Sequence, residues 1–202
     1  MELLQKLLEI IFPKRASAAL VENASQTEIL ECFSLTEQNN IISLTAFSSP
    51  LVRACIHEAK FYRNETAYIL LGELLNIYLV KSTITYLIIP IPLSTQREHE
   101  RGYNQVTEIV KRALKTHPQF TLKTNILYRH KNTIPQTSLD KTKRIKNMEN
   151  AFEVRSEHTS QIFNANILLV DDVTTTGATF AAAKKALLPH HPAKVTCLAL
   201  AH

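Results

Sequence analysis

The sequence predicts an α/β fold, an open and mostly parallel sheet with helices on both faces, and three observations carry that prediction. From residue 41 onward, β-rich apolar runs alternate with segments of helical periodicity, the order that builds a parallel sheet. The run NILLV at 166–170 is an uninterrupted apolar stretch that suits a buried strand. At 202 residues the chain can bury one sizeable core, alone or with a small appendage, and is too short for two full enzyme domains.

Residues 2–12 place Leu3, Leu4, Leu7, Leu8, Ile10 and Ile11 at helical spacing before Pro13, which predicts a short amphipathic helix docked on the core. Periodicity is poor over 14–40, so an irregular arm is expected there. IISLTAF (41–47) reads as a strand. Serines before Pro50 suit a helix with a hydroxyl cap and proline at its first position. Tyr68, Leu71, Leu74, Leu75 and Tyr78 mark a second amphipathic helix over 64–81.

TYLIIPIPL, β-rich over 85–91, reads as a strand with its prolines at the end, because proline cannot serve a central ladder. REHERGYN follows as a loop, and QVTEIVKRAL has good helix propensity. Residues 128–150 form a polar basic tract in which Arg129, Lys131, Lys141, Lys143, Arg144 and Lys146 meet only Asp140 and Glu149. A short strand near AFEV, the NILLV strand, the helix ATFAAAKKALL and the strand KVTCLAL complete the order.

Composition narrows the function classes. No stretch approaches the roughly 20 apolar residues of a membrane span. The opening MELLQKLLEIIF is broken by Gln5, Lys6 and Glu9, so it reads as neither span nor signal peptide, and a cytoplasmic protein with no membrane partner is expected. Cys32, Cys55 and Cys197 are too widely spaced for a disulfide framework or a CxxC zinc pair, so reduced, mostly buried thiols are expected. A formal charge of +5 and a pI near 9.1 favour polyanionic partners such as phosphates or nucleic acid.

The chemistry concentrates in LLVDDVTTTGATF, 168–180. Ligands of such sheets bind beyond the carboxyl ends of the strands, where Asp171 and Asp172 fall. Side chains alternate along a strand, so two adjacent carboxylates are expected to share a cleft only where the chain is leaving the sheet. Val173, Thr174, Thr175, Thr176, Gly177, Ala178 and Thr179 then supply backbone N–H groups, hydroxyls and a glycine able to take positive φ, all opening a helix. That combination is a phosphate cradle. Carboxylates repel phosphate but accept hydrogen bonds from sugar hydroxyls, so a sugar phosphate explains both halves of the stretch. A P-loop is excluded by the absence of GxxxxGK[ST]. A haloacid-dehalogenase nucleophile is disfavoured because these acids are adjacent, and a response-regulator receiver because its acid pair comes early in the chain.

These residues resemble a known motif. LLVDDVTTTGAT is similar to the phosphoribosyl-pyrophosphate (PRPP) motif of type I phosphoribosyltransferases: an apolar strand, two acids, an apolar residue or two, T/S-T-G and a helix. IPIPLSTQREHERGYNQ resembles the IPVPL…RERGFNQ block of the ComF family. The tract with Arg129, Thr133, Gln136, Leu139, Arg144, Asn147 and Phe152 resembles that family's R…T..Q..L….R..N….F pattern. ACIHEAKFYRN resembles its helix with KY or KF. Together these blocks cover roughly 50–202.

The resemblance implies a type I phosphoribosyltransferase-like domain over 50–202 and an N-terminal arm over 1–49, where relatives carry a zinc finger. It implies that Asp171 and Asp172 bind the ribose hydroxyls of PRPP and that 174–179 hold its 5-phosphate. Mg²⁺ would bridge the pyrophosphate, with the two acids helping indirectly from close by. Arg97, Arg101 and Gly102 would bind the pyrophosphate; an arginine pair before a helix is also, independently, a sensible anion clamp. Arg101, Lys143 and Arg144 are the candidate catalytic residues, and the basic 128–150 tract is the candidate hood over the site.

Two departures matter. Ala16 and Ala19 stand where relatives have the first cysteine pair, so no zinc site is expected. Thr175 stands where 6-oxopurine salvage enzymes usually carry an aspartate, which removes that general base. Two readings follow: a Mg²⁺-dependent transferase of unknown acceptor, or a non-catalytic module that binds PRPP, a nucleotide or single-stranded DNA alongside the competence machinery. A homodimer is left open.

Overall fold

A computed structural model of the chain describes residues 15–129 and 151–202. The predicted helix over 2–12, and Lys143 and Arg144 with most of the basic tract, lie outside the described residues.

A six-stranded sheet organises the molecule, in the order β1 (Phe33–Gln38), β2 (Ile41–Thr45), β8 (Lys194–Ala201), β7 (Asn166–Val173), β3 (Leu87–Pro90) and β4 (Thr121–Leu122). Only the β1–β2 pair is antiparallel; every other pairing in this sheet is parallel. The expected mostly parallel α/β sheet is therefore present. β5 (Leu127–Arg129) and β6 (Phe152–Val154) form a separate antiparallel ribbon. Pro90 is tolerated because β4 pairs only with Leu87 and Ile88, so no ladder partner on that side asks for its missing N–H.

Alternation along β7 explains why its apolar run is continuous. Leu168 and Val170 pack into one core, and Ile167 and Leu169 into the other, so both faces need apolar side chains. The first core takes α3 (Pro50–Phe61), α4 (Glu65–Val80) and α6 (Gln105–Ala113) through residues such as Val52, Leu71, Leu74 and Ile109. The second takes the short α7 (Thr159–Ile162) through Ile162 and α8 (Ala178–Leu187) through Phe180, Ala183 and Leu187. Each such fully buried large side chain contributes about 1.5–3 kcal/mol relative to exposure.

The serine cap expected before Pro50 is in place, and a second cap, at Asn64, opens the next helix. Ser49 accepts a hydrogen bond from the Val52 amide at 3.4 Å with Pro50 at the first position of α3, and Asn64 accepts from the Ala67 amide at 3.1 Å to open α4.

The described part of the arm expected to be irregular, 15–40, is regular: it includes α1 (Ala16–Asn23), α2 (Gln26–Glu31) and β1. α2 opens with a capping box in which Ser25 and Glu28 satisfy each other's backbone amides. Elements of six to eight residues are too short to show a convincing period, which is why the sequence reading missed them. The region docks through Glu58 of α3, fully buried, which accepts from Arg15 Nη2 at 3.2 Å and Ser17 Oγ at 2.7 Å. The main sheet thus takes β1 and β2 from residues before 50.

Candidate functional site

β7 does not leave the sheet at its acids. Its ladder with β8 continues through Asp171↔Ala199 to Val173↔Ala201. On its other side, however, β3 ends at Pro90↔Val170, with one last bond from the Ile91 amide to the Val170 carbonyl at 2.8 Å. Beyond Val170 that edge is open, and Asp171 and Asp172 both line the cleft that begins there. The expectation that adjacent acids need a departing chain is corrected: an early end to the neighbouring strand has the same effect.

The two carboxylates differ in their partners. Asp172 is buried, pairs with Lys60 Nζ at 2.9 Å and accepts a hydrogen bond from Gln105 Nε2. Asp171 accepts from the Asp172 amide at 2.9 Å. Its pKa is raised to about 7, first by burial and then by the charge of Asp172, with Lys60 and Arg129 pulling the other way.

Cations come to the acids from several elements. The expected loop after β3 is helical: α5 (Thr95–Arg101) is capped by Ser94 and ends at Gly102, whose φ is +71°. Four-residue spacing puts Arg97 and Arg101 on one face of α5, and both line the cleft. Arg101 donates to Gln105 Oε1 at 3.0 Å and lies 5.2 Å from the centre of the Phe61 ring. Its pKa is lowered chiefly by burial, with Asp172 opposing and Arg97 reinforcing the shift. Gly102 is held against the end of α3 by Arg63 Nη2, which donates to its carbonyl at 3.0 Å. Arg129, buried at the end of β5, also reaches the cleft, and burial followed by repulsion from Arg97 lowers its pKa to about 10. It remains a cation at neutral pH.

The predicted cradle divides. Val173, Thr175 and Thr179 line the cleft with the acids. Thr174 is buried and donates its amide to the Ala201 carbonyl at 3.0 Å, and together with Gly177 it borders a small gap beside Ile41 and Ser43. Gly177 has φ +74° and opens α8, a conformation that favours glycine; a Cβ there would lie 2.6 Å from Ile41 Cδ1, so the end of that side chain would also have to shift. Thr176 Oγ1 accepts from the Ala178 amide at 3.4 Å. The first turn of α8 leaves N–H groups without intrahelical acceptors at this end of the sheet, the feature on which a phosphate reading depends.

The cleft holds about 490 Å³. Lys60, Gln105 and the α3 residues Arg53, His57 and Phe61 line it without a site role expected from sequence, and Arg129, expected only as part of the basic hood tract, lines it too. A sequence signal existed for the α3 residues: Arg53, His57 and Phe61 recur every four residues, a stripe that crosses α3's apolar pattern. Among the described residues no cluster of three or more His, Cys, Asp or Glu is placed to hold a metal ion by itself. The three cysteines are unpaired, and Cys55 and Cys197 are buried. No described helix is long and apolar enough to cross a membrane.

No family model matches the chain. It is 36% identical over 92 residues to Competence protein F of Haemophilus influenzae, a match covering 46% of this chain and 39% of that protein. It is 35% identical over 106 residues to Competence protein ComFC of Bacillus subtilis, covering 51% and 38%. The matches thus span less than two-fifths of the length of each relative.

Proposed function

Starting from a chain that belongs to the ComF family, we propose that its cleft binds PRPP and transfers the phosphoribosyl group to an acceptor with release of pyrophosphate, on a type I phosphoribosyltransferase-like fold. The observation that carries this reading is the single cleft in which Asp171 and Asp172 meet Lys60, Arg97, Arg101 and Arg129 at the carboxyl end of a parallel sheet. Asp171 would accept the ribose hydroxyls, with Asp172 held in place by Lys60 and Gln105. The first turn of α8, with Thr175 and Thr179, would receive the 5-phosphate.

The leaving pyrophosphate carries the largest charge in the reaction. Arg97 and Arg101 would neutralise it as the C1–oxygen bond lengthens, and the cationic wall is preorganised for that charge. The donor set suits a magnesium ion carried mainly by ligand oxygens and water, since Asp172 is engaged and Asp171 is the nearby carboxylate. Such an ion would supply further charge neutralisation on the pyrophosphate. Thr175 in the cleft, in place of an acid, fits an acceptor other than a 6-oxopurine.

Both relatives are named as competence proteins, which favours a second reading: a module that binds PRPP, a nucleotide or single-stranded DNA in the cytoplasm without turnover, as part of DNA uptake. Calorimetric titration with PRPP and Mg²⁺, followed by a pyrophosphate-release assay over a panel of bases and amines, separates the two. Heat and turnover, both lost in Asp171→Asn/Asp172→Asn, support the transferase. Heat without turnover selects the module, and no heat at all sinks both.

A further inference from the structure

We propose that the α3 wall of the cleft, Arg53, His57 and Phe61 together with Phe47, is a subsite for a flat heteroaromatic acceptor that carries an anionic group. This inference rests on the transferase reading and names the chemical class of the molecule that reading leaves open.

Arg53, His57 and Phe61 lie at successive four-residue steps of α3, so they form one stripe, and all three line the cleft with Phe47. Phe47 and Phe61 remain 37% and 58% exposed. Aromatic rings left partly exposed on a cationic wall offer faces on which a planar ring can stack. The imidazole of His57 packs against Phe61 and Tyr62, with ring centres 5.1 and 5.6 Å apart, which orients it beside that platform.

The charges point to an acceptor with an anionic group. Lys60 is committed to Asp172, Arg101 lies between Gln105 and the Phe61 ring, and Arg129 interacts with Asp171. Arg53 has no such commitment: among the described residues no carboxylate pairs with it. A guanidinium beside a stacking platform suits a carboxylate or similar anion on the ring, held in a forked hydrogen bond. A cationic amine acceptor would meet repulsion from Arg53, Arg97 and Arg101 together.

The test uses the full chain with ribose 5-phosphate and Mg²⁺ present to fill the sugar half, and measures the affinity of ring pairs that differ only in charge: nicotinate against nicotinamide, and orotate against uracil. The acid of each pair is expected to bind about ten-fold or more tightly than its neutral partner, the effect of one charge-assisted contact. Arg53→Gln should erase that difference while ribose 5-phosphate still binds. Phe61→Leu should weaken both members and keep their ratio. Both residues are surface-facing on α3, and an unchanged melting temperature checks that each variant is folded. Equal or absent binding of the two rings while ribose 5-phosphate binds overturns the inference and leaves the transferase reading standing. Absence of ribose 5-phosphate binding overturns both.

Discussion

On the β7–α8 side the cleft is lined by near neighbours in sequence, Asp171, Asp172, Val173, Thr175 and Thr179, whereas the cations arrive from three elements far apart: Lys60 on α3, Arg97 and Arg101 on α5, and Arg129 on β5. The first side is a local motif whose chemistry survives being read one residue at a time. The second exists only once the sheet has brought those elements together. Asp172 joins the two sides, because Lys60 and Gln105 hold it from separate helices.

The largest effect is expected on the local side. Asp171→Asn/Asp172→Asn should weaken ribose 5-phosphate binding by about a hundred-fold or more, since two charged acceptors are lost. A ten-fold loss or less, measured by calorimetry, would show that the cationic side carries the affinity instead. Next comes the link between the sides. Lys60→Met leaves a buried carboxylate short of its cation and should cost about 1–3 kcal/mol in urea unfolding, discounted because Lys60 is partly exposed. The same change in an Asp172→Asn background should cost clearly less; equal costs would mean that the pair contributes nothing.

Gly177→Ala should destabilise by about 1–2 kcal/mol through its left-handed backbone. Ile41→Val, which removes the Cδ1 that the new Cβ would meet, should recover part of that loss in the double variant, as thermal melts can show. The smallest and most diagnostic effect concerns pH. Because the folded protein holds the Asp171 proton up to about 7, while an unfolded aspartate releases it near its ordinary value, stability contributed by this group falls as pH rises through that window. Ligand binding that needs the ionised acid should move the opposite way and strengthen as pH rises past 7. Asp171→Asn should therefore unfold at higher urea than the parent at pH 8 while binding ribose 5-phosphate less well. If the parent is the more stable of the two at pH 8, burial of Asp171 is compensated by its neighbours.

Much of the fold was legible because its long elements have clear signals: Ser49–Pro50 opens α3, Tyr68 to Tyr78 give α4 its period, and NILLV is apolar throughout because β7 is covered on both faces. The short elements of 16–38 were not legible, since helices of six and eight residues draw their order from packing and from contacts such as Arg15 and Ser17 on Glu58. The α5 helix was hidden for a similar reason, as seven mostly charged residues leave no apolar stripe to read.

By itself the sequence determined a parallel α/β core, a pair of acids at a strand end, and a glycine that must open the following helix, because each of these is written in neighbouring residues whose backbone and charge act locally. Only the tertiary structure decided that both acids face one cleft, that Lys60 and Gln105 occupy Asp172, and that Arg53, His57 and Phe61 form a wall beside them. Those outcomes depend on where β3 stops and on how α3 and α5 pack, and such long-range placement is set by the burial of the whole core rather than by any segment of it.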